Sequence, residues 1–424
     1  MLTRILHNSQ ELCTFVDRLG LELSAPQRRH VINVADGLLV TDAPKTLAEI
    51  QRQFVECVDP SNMADTFRIA PWTAQDIRQP LGAFLMQAAL ERLERTGQPR
   101  RLLINLDDSL AIKDPRTHCL QGVDWHYYHV HKRKKRSRLQ NGWAYLACNV
   151  VAGDWTFTFT VVPYLREKTV RRINRTRPPG QRPHFVCKYR LARAILEVCR
   201  QLIPSDVEVY VNTDAWYASA CFIKYIRRQG WHFTSRVREN RTLNGQRIDQ
   251  GDLAQRHRRY VPVNISAADG STTTYLVRHT RGRLRDVPFE VRGLVSKRHY
   301  RDRFPVYFIS TALSLAPETV LQGYARRWNC EVDNYYLQVR CGLGDFRLQP
   351  YEAIDKFCTV VHLSLAYLQW RLAEASDGHL RTPADVIRQH RDEHARDWLT
   401  GACQEAIASG EIESVLRRYL RQTA

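Results

Sequence analysis

Two apolar runs that each stop on an acid constrain this chain more than any other feature. Residues 101–108 read RLLINLDD and residues 206–214 read DVEVYVNTD. Both have the apolar and β-branched make-up of strands, and Val207, Val209 and Val211 alternate with polar or aromatic neighbours. Between them lie NGWAYLACNVVAG and DWTFTFTVVPYL, two strand-like runs separated by Gly153-Asp154, a hairpin signal. KYRLARAILEVCRQLI, ended by Pro204, and WYASACFIKYIRRQG, ended by Gly230, carry helical spacing, and WHFTSRV reads as a strand.

The resulting order, β-β-β-α-β-α-β, is that of a ribonuclease-H-like α/β core. Residues 1–98 precede it with helical spacing throughout, in ELCTFVDRLG, RRHVINVADGLLV, LAEIQRQFVEC and LGAFLMQAALERLERTG. They predict a helical N-terminal domain that either binds DNA or serves packing and oligomerisation. The first part of the core spans 99–238. Residues 239–305, with TTTYLVRHT and FEVRGLV between basic turns, predict a β-rich insertion. Residues 306–376 return to the core: PVYFIST as a strand, then PETVLQGYARRWNCEVDNYYLQVRCGLG and AIDKFCTVVHLSLAYLQWRLAEA as helices. Residues 377–424 predict a polar helical tail of two short helices.

Lys and Arg outnumber Asp and Glu by 63 to 44, a formal net charge of +19. Such an excess favours a polyanionic partner, and double-stranded DNA is the expected one. Two basic stretches suit a phosphate backbone: HKRKKRSR at 131–138, with Lys132, Arg133, Lys134, Lys135 and Arg136, and TVRRINRTRPPGQRPH at 169–184, with Arg171 and Arg172. Trp125, His126, Tyr127, Tyr128, His129 and His131 form an aromatic, His-rich run that reads as a DNA-contacting loop or a satisfied surface patch rather than a metal site. The 11 cysteines include no C-x-x-C pair, which argues against a zinc site. No apolar run approaches the roughly 18 residues of a membrane span, and the N-terminus lacks the pattern of a signal peptide. A cytoplasmic protein without membrane contact is expected.

In a ribonuclease-H-like arrangement the first and fourth strands lie side by side and parallel. Acids at their ends, Asp107 or Asp108 and Asp214, then face one another, and a late helix brings Glu331. Clustered carboxylates repel unless a cation neutralises them. Mg²⁺ favours such oxygen donors, and a pair of ions about 4 Å apart supports phosphodiester cleavage.

The segment YARRWNCEVDNYYLQ resembles the signature of IS4-type DDE transposases: Tyr, two residues, Arg, three residues, Glu, six residues, Lys. Tyr324, Arg327 and Glu331 match at that spacing, and Gln338 stands where the family has Lys. VNTDAWYAS is similar to the second-aspartate block and LDDSLAIKD to the first. LSAPQRRHVINVADGLLV and IAPW are similar to the start of the insertion-sequence 701-like branch. The likeness spans residues 10–372.

The resemblance implies a DDE transposase that cuts DNA at element ends and joins the freed 3′ hydroxyl to a target, using Mg²⁺ or Mn²⁺, with two ions expected. It implies Asp107, Asp214 and Glu331 as catalytic and metal-binding residues, with Asp108 as the alternative first acid. Arg327 would grip phosphate, Tyr324 would contact the displaced strand, and Arg340 would stand in for the charge missing at Gln338. It also implies a homodimer on DNA. Two other readings share these residues: a metal-dependent nuclease without strand transfer, and an inactive transposase-derived DNA-binding protein.

Overall fold

The computed structural model describes residues 4–56, 60–127, 139–255, 259–266, 271–375 and 378–420. The basic stretch Lys132–Arg136 and the residues Tyr128, His129 and His131 therefore lie outside the described residues.

The change from helical to strand spacing falls at β1 (Arg101–Ile112). β2 (Asp124–Tyr127), β3 (Leu139–Ala152) and β4 (Trp155–Tyr164) follow. Gly153 takes φ +60° in the β3–β4 turn, a value that favours glycine. β3 pairs antiparallel with β1, while β2 and β4 share its other edge. α6 (Glu167–Asn174) and α7 (Lys188–Leu202) then cross to β5 (Glu208–Thr213), and α8 (Ala220–Arg228) crosses to β6 (His232–Val237). Helical crossovers return the chain in the same direction, so β1, β5 and β6 are mutually parallel. Val209, Tyr210 and Val211 are all buried because both faces of β5 are covered.

Residues 239–305 extend this sheet rather than stand apart from it. A small hairpin, β7 (Thr242–Leu243) and β8 (Gln246–Arg247), turns through Asn244 and Gly245, both at positive φ. β9 (Val261–Ser266), β10 (Thr272–Arg283), β11 (Glu290–Lys297) and β12 (Val306–Ser310) join by successive antiparallel pairing, with β12 against β6. Among the described residues the main sheet has ten strands, ordered β2-β3-β1-β5-β6-β12-β11-β10-β9, with β4 beside β3.

The N-terminal helices are α1 (Gln10–Arg18), α2 (Ala25–Val40), α3 (Leu47–Gln51), α4 (Pro60–Arg68) and α5 (Gln75–Arg95). Two helices, α9 (Pro317–Ala325) and α10 (Trp328–Tyr335), follow the sheet. The N-terminal helices share one hydrophobic core with the sheet, centred on α11 (Tyr351–Glu374). Every position of α11 from Lys356 to Trp370 is buried, as befits a helix surrounded on all sides. Phe15 packs on the Tyr367 and Trp370 rings, and Arg78 forms a two-pronged ion pair with Asp355 across the same contact. No helix among the described residues is long and apolar enough to cross a membrane.

The end of the chain corrects the expectation of two short helices. α12 (Pro383–Ser409) runs for 27 residues before Gly410 breaks it, and only α13 (Ile412–Leu420) is short. Its polar sequence hides a buried stripe, Val386, His390 and His394. Both histidines donate Nε2–H to Asp36 Oδ1 on α2, each at 2.7 Å, and the Ser9 amide donates to Asp36 Oδ2 at 3.0 Å. Burial alone would raise the Asp36 carboxyl, but the two histidine hydrogen bonds outweigh it and hold it well below the usual carboxylate range. His394 is opposed by burial, yet its bond to Asp36 leaves it raised. The His394 contribution is therefore full below its unfolded value near 6.5 and fades as pH rises through its raised folded value. The stability gap between wild type and His394→Gln should be wider at pH 6 than at pH 9 in urea unfolding. An equal gap at both pH values would show that the pair carries no charge.

Candidate active site

β1 does not stop at the acids, as the sequence suggested. It continues to Ile112 because β3 is long enough to pair with it as far as Gly142. Its other neighbour ends earlier: pairing with β5 stops at Leu106 opposite Thr213. Asp107 and Asp214 are the next residues on two parallel strands in register, just where the strands part. Within β1, alternation fixes the direction of Asp107. Asn105 and Asn212, one pleat before each acid, donate to the carbonyls of Arg326 and Gly323, so this face looks toward the α9–α10 turn. Asp107, 8% exposed, accepts from Arg327 Nη1 at 2.8 Å on that face. Asp108 points the other way, to Lys188 of α7 and the Tyr217 hydroxyl.

The signature residues do not lie on one unbroken helix. α9 ends at Ala325 and α10 begins at Trp328. At this break the Arg327 amide bonds back three residues to Tyr324, and Cys330 to Arg327. Such shortening strips the Gly323 carbonyl of its helical donor. Asn212 Nδ2 supplies one instead at 3.2 Å, and Asn105 reaches the Arg326 carbonyl at 3.4 Å. The turn thus thrusts Arg327 into the strand ends. Its Nη2 also stands 3.9 Å from Glu331 Oε1 in the first turn of α10. Tyr324 is half-buried, edge-on to Phe308 at 5.0 Å between ring centres. Gln338, in a wide turn that continues α10, points inward and donates to Ser109 Oγ and Tyr145 Oη at 3.1 and 2.8 Å. Exposed Arg340 rests over the Tyr335 ring. Arg171 pairs with Glu167, and Arg172 bonds the Val123 carbonyl.

Burial dominates the electrostatics, and neighbouring charges modify it. Burial pushes Asp107 up to about 7; Arg327 opposes this, while Glu331, Asp214 and Asp108 add to it. Asp214 is raised by burial and then by Asp108, against the Trp216 amide and Arg327. Burial lowers Arg327, but Asp107 more than compensates and leaves it firmly charged. Among the described residues no three of these acids bring one oxygen each within 4.8 Å of one another; the group of possible ligand atoms that is so close is a carboxylate oxygen of Asp36 with ring nitrogens of His390 and His394. Arg327 stands between Asp107 and Glu331. Asp333, two residues beyond Glu331, is buried and raised to about 6 by that burial, against bonds from Thr158, Asn149 and Gln369.

Beside Asp214 opens a cleft of about 1220 Å³ lined by Arg236, Arg238, Arg247, Arg327, Phe304 and Trp328. Phe304 is 90% and Trp328 67% exposed. Interleaved arginines and open aromatic rings suit a nucleic-acid strand. Sequence reasoning passed over these residues, apart from Arg327. Trp328 sits inside the signature segment, but Phe304 and Arg236 gather only when β12 pairs with β6. His126, from the aromatic run, lies half-buried in β2, and burial lowers it to about 4, so it stays neutral.

A comparison with curated proteins finds no match. Residues 190–367 match the family model of the transposase DDE domain. That segment carries Asp214, Arg327, Glu331 and Gln338 and begins beyond Asp107; the match supports a DDE transposase.

Proposed function

We propose that the chain is an IS4-like DDE transposase of the insertion-sequence 701-like branch. It cleaves DNA at element ends and transfers the 3′ hydroxyl strand into target DNA, acting as a homodimer. The observation that carries this is the position of Asp107 and Asp214 at the parting of two parallel strands, with Arg327 bonded to Asp107 and standing beside Glu331.

The site fits divalent cations. Its donors are all carboxylate oxygens, the set that Mg²⁺ or Mn²⁺ prefers, and Asp107, raised chiefly by burial, also feels the charges of Glu331, Asp214 and Asp108, which a cation would offset. Asp107, Asp214 and Glu331 would hold the ions, which when bound activate an attacking oxygen and neutralise a leaving one. The protein's own groups do the rest. Arg327 exchanges part of its hold on Asp107 for the scissile phosphate, a charge-assisted contact. Lys188 keeps Asp108 occupied on the opposite face, which leaves Asp107 as the ligand. The arginines and open rings of the cleft hold the flanking strand. Gln338 braces β1 from within rather than touching phosphate.

The test pairs cleavage of intact element ends with strand transfer from pre-cleaved ends, both with Mg²⁺. Joined products support transposition; cleavage without joining supports the nuclease reading. Binding with neither supports an inactive relic, whose best argument is the glutamine at 338. Arg238→Ala should weaken DNA binding alike for all sequences and lower the slope of log K against log salt by about 1. An unchanged slope would take Arg238 off the DNA path.

A further inference from the structure

One pleat below the acids runs a row of buried amides. The strand register sets Asn105 of β1 opposite Asn149 of β3 and Asn212 of β5. Asn212 Nδ2 donates to Asn105 Oδ1 at 2.9 Å, and Asn105 Nδ2 to Asn149 Oδ1 at 2.9 Å. Asn149 Nδ2 then donates to Asp333 Oδ2 at 2.7 Å. Thr158 Oγ1 and Gln369 Nε2 complete the carboxylate at 2.7 and 2.9 Å. All the amides donate in one direction, and the row ends on a group that only accepts. Burying so many polar side chains is costly unless each is satisfied, and a fully satisfied network favours a single arrangement.

The row touches each part of the site. Asn105 lies two residues before Asp107, Asn212 two before Asp214, and Asp333 two after Glu331. Asn105 and Asn212 also take the carbonyls of the turn that carries Arg327. An apolar row would hold the sheet equally well but would fix neither that turn nor the rotation of α10.

We propose that Asn212, Asn105, Asn149 and Asp333 are positioning residues whose row sets the spacing of Asp107, Asp214 and Glu331, and with it the affinity of the site for divalent cations. This rests on the functional reading above. The experiment uses the full chain with Tb³⁺ as probe, its luminescence excited through Trp216 and Trp328, displaced by Mg²⁺; cleavage is followed against Mg²⁺ in parallel. Asp333→Asn places a donor against donors. It should raise the Mg²⁺ needed for displacement and for half-maximal cleavage by roughly 10–100-fold, with DNA binding unchanged. Adding Gln369→Glu to Asp333→Asn restores a donor–acceptor match at that contact and should recover most of the affinity. A folded Asp333→Asn with wild-type Mg²⁺ affinity overturns the proposal, even if its melting temperature falls, and so does a folded double variant that stays weak. A wild type whose Tb³⁺ signal is unaffected by Asp214→Ala sinks the functional reading itself, and the row's role with it.

Discussion

Asp214→Ala should lower DNA-end cleavage by roughly 1000-fold while leaving DNA affinity intact or slightly higher. Several kcal/mol of charge stabilisation at a reacting phosphate come from a bound cation, and about 4 kcal/mol corresponds to that factor. Asp214 sits at the end of β5 with its carboxylate raised by burial and by Asp108, so its loss removes a ligand and relieves repulsion at once. DNA is held by other groups, the arginines of the adjoining cleft. Gel-shift and cleavage assays on the same preparation check both halves. Cleavage by Asp214→Ala within tenfold of wild type would remove this residue from the chemistry.

Asp36→Ala should give a large loss of stability. It strips the acceptor from His390, His394 and the Ser9 amide, all meeting at one fully buried carboxylate. Removing one partner of a buried charged network typically costs about 3–5 kcal/mol. The contact joins α2 to α12, so the loss should appear first as release of the C-terminal helices. Hydrogen exchange would show faster amides in residues 383–409 before the sheet responds. Uniform acceleration across the whole chain would mean that α12 opens only with global unfolding.

Much of the core was legible because its signals are local. RLLINLDD and DVEVYVNTD carry strand composition in their own side chains, and the helical stretches between them dictate parallel return. Asp214 and Glu331 stood out through a strand end and a spaced signature. What was missed depends on distant partners. Residues 317–338 read as one helix, because nothing local marks a break at Arg326; the break is held open by Asn105 and Asn212, more than a hundred residues upstream. β1 runs past Asp108 because β3 pairs with it there, although Asp-Asp-Ser looks like a turn. α12 read as a polar tail because its inward stripe includes histidines, and only Asp36 makes them suitable for a core. The placement of Asp107 rather than Asp108 beside Arg327 likewise follows from strand alternation combined with the position of α9 and α10, which the sequence leaves open.

Iron-directed cleavage of the polypeptide tests the proposed centre most directly. Fe²⁺ replaces Mg²⁺ at oxygen-rich sites, and with peroxide and ascorbate it cuts the chain close to where it binds. Cuts near residues 107, 214 and 331, all suppressed by excess Mg²⁺ and lost together in Asp214→Ala, are the expected result. Cuts confined to the neighbourhood of Asp36, His390 and His394, or to only one of the three acids, would contradict a shared cation site at the parting of β1 and β5.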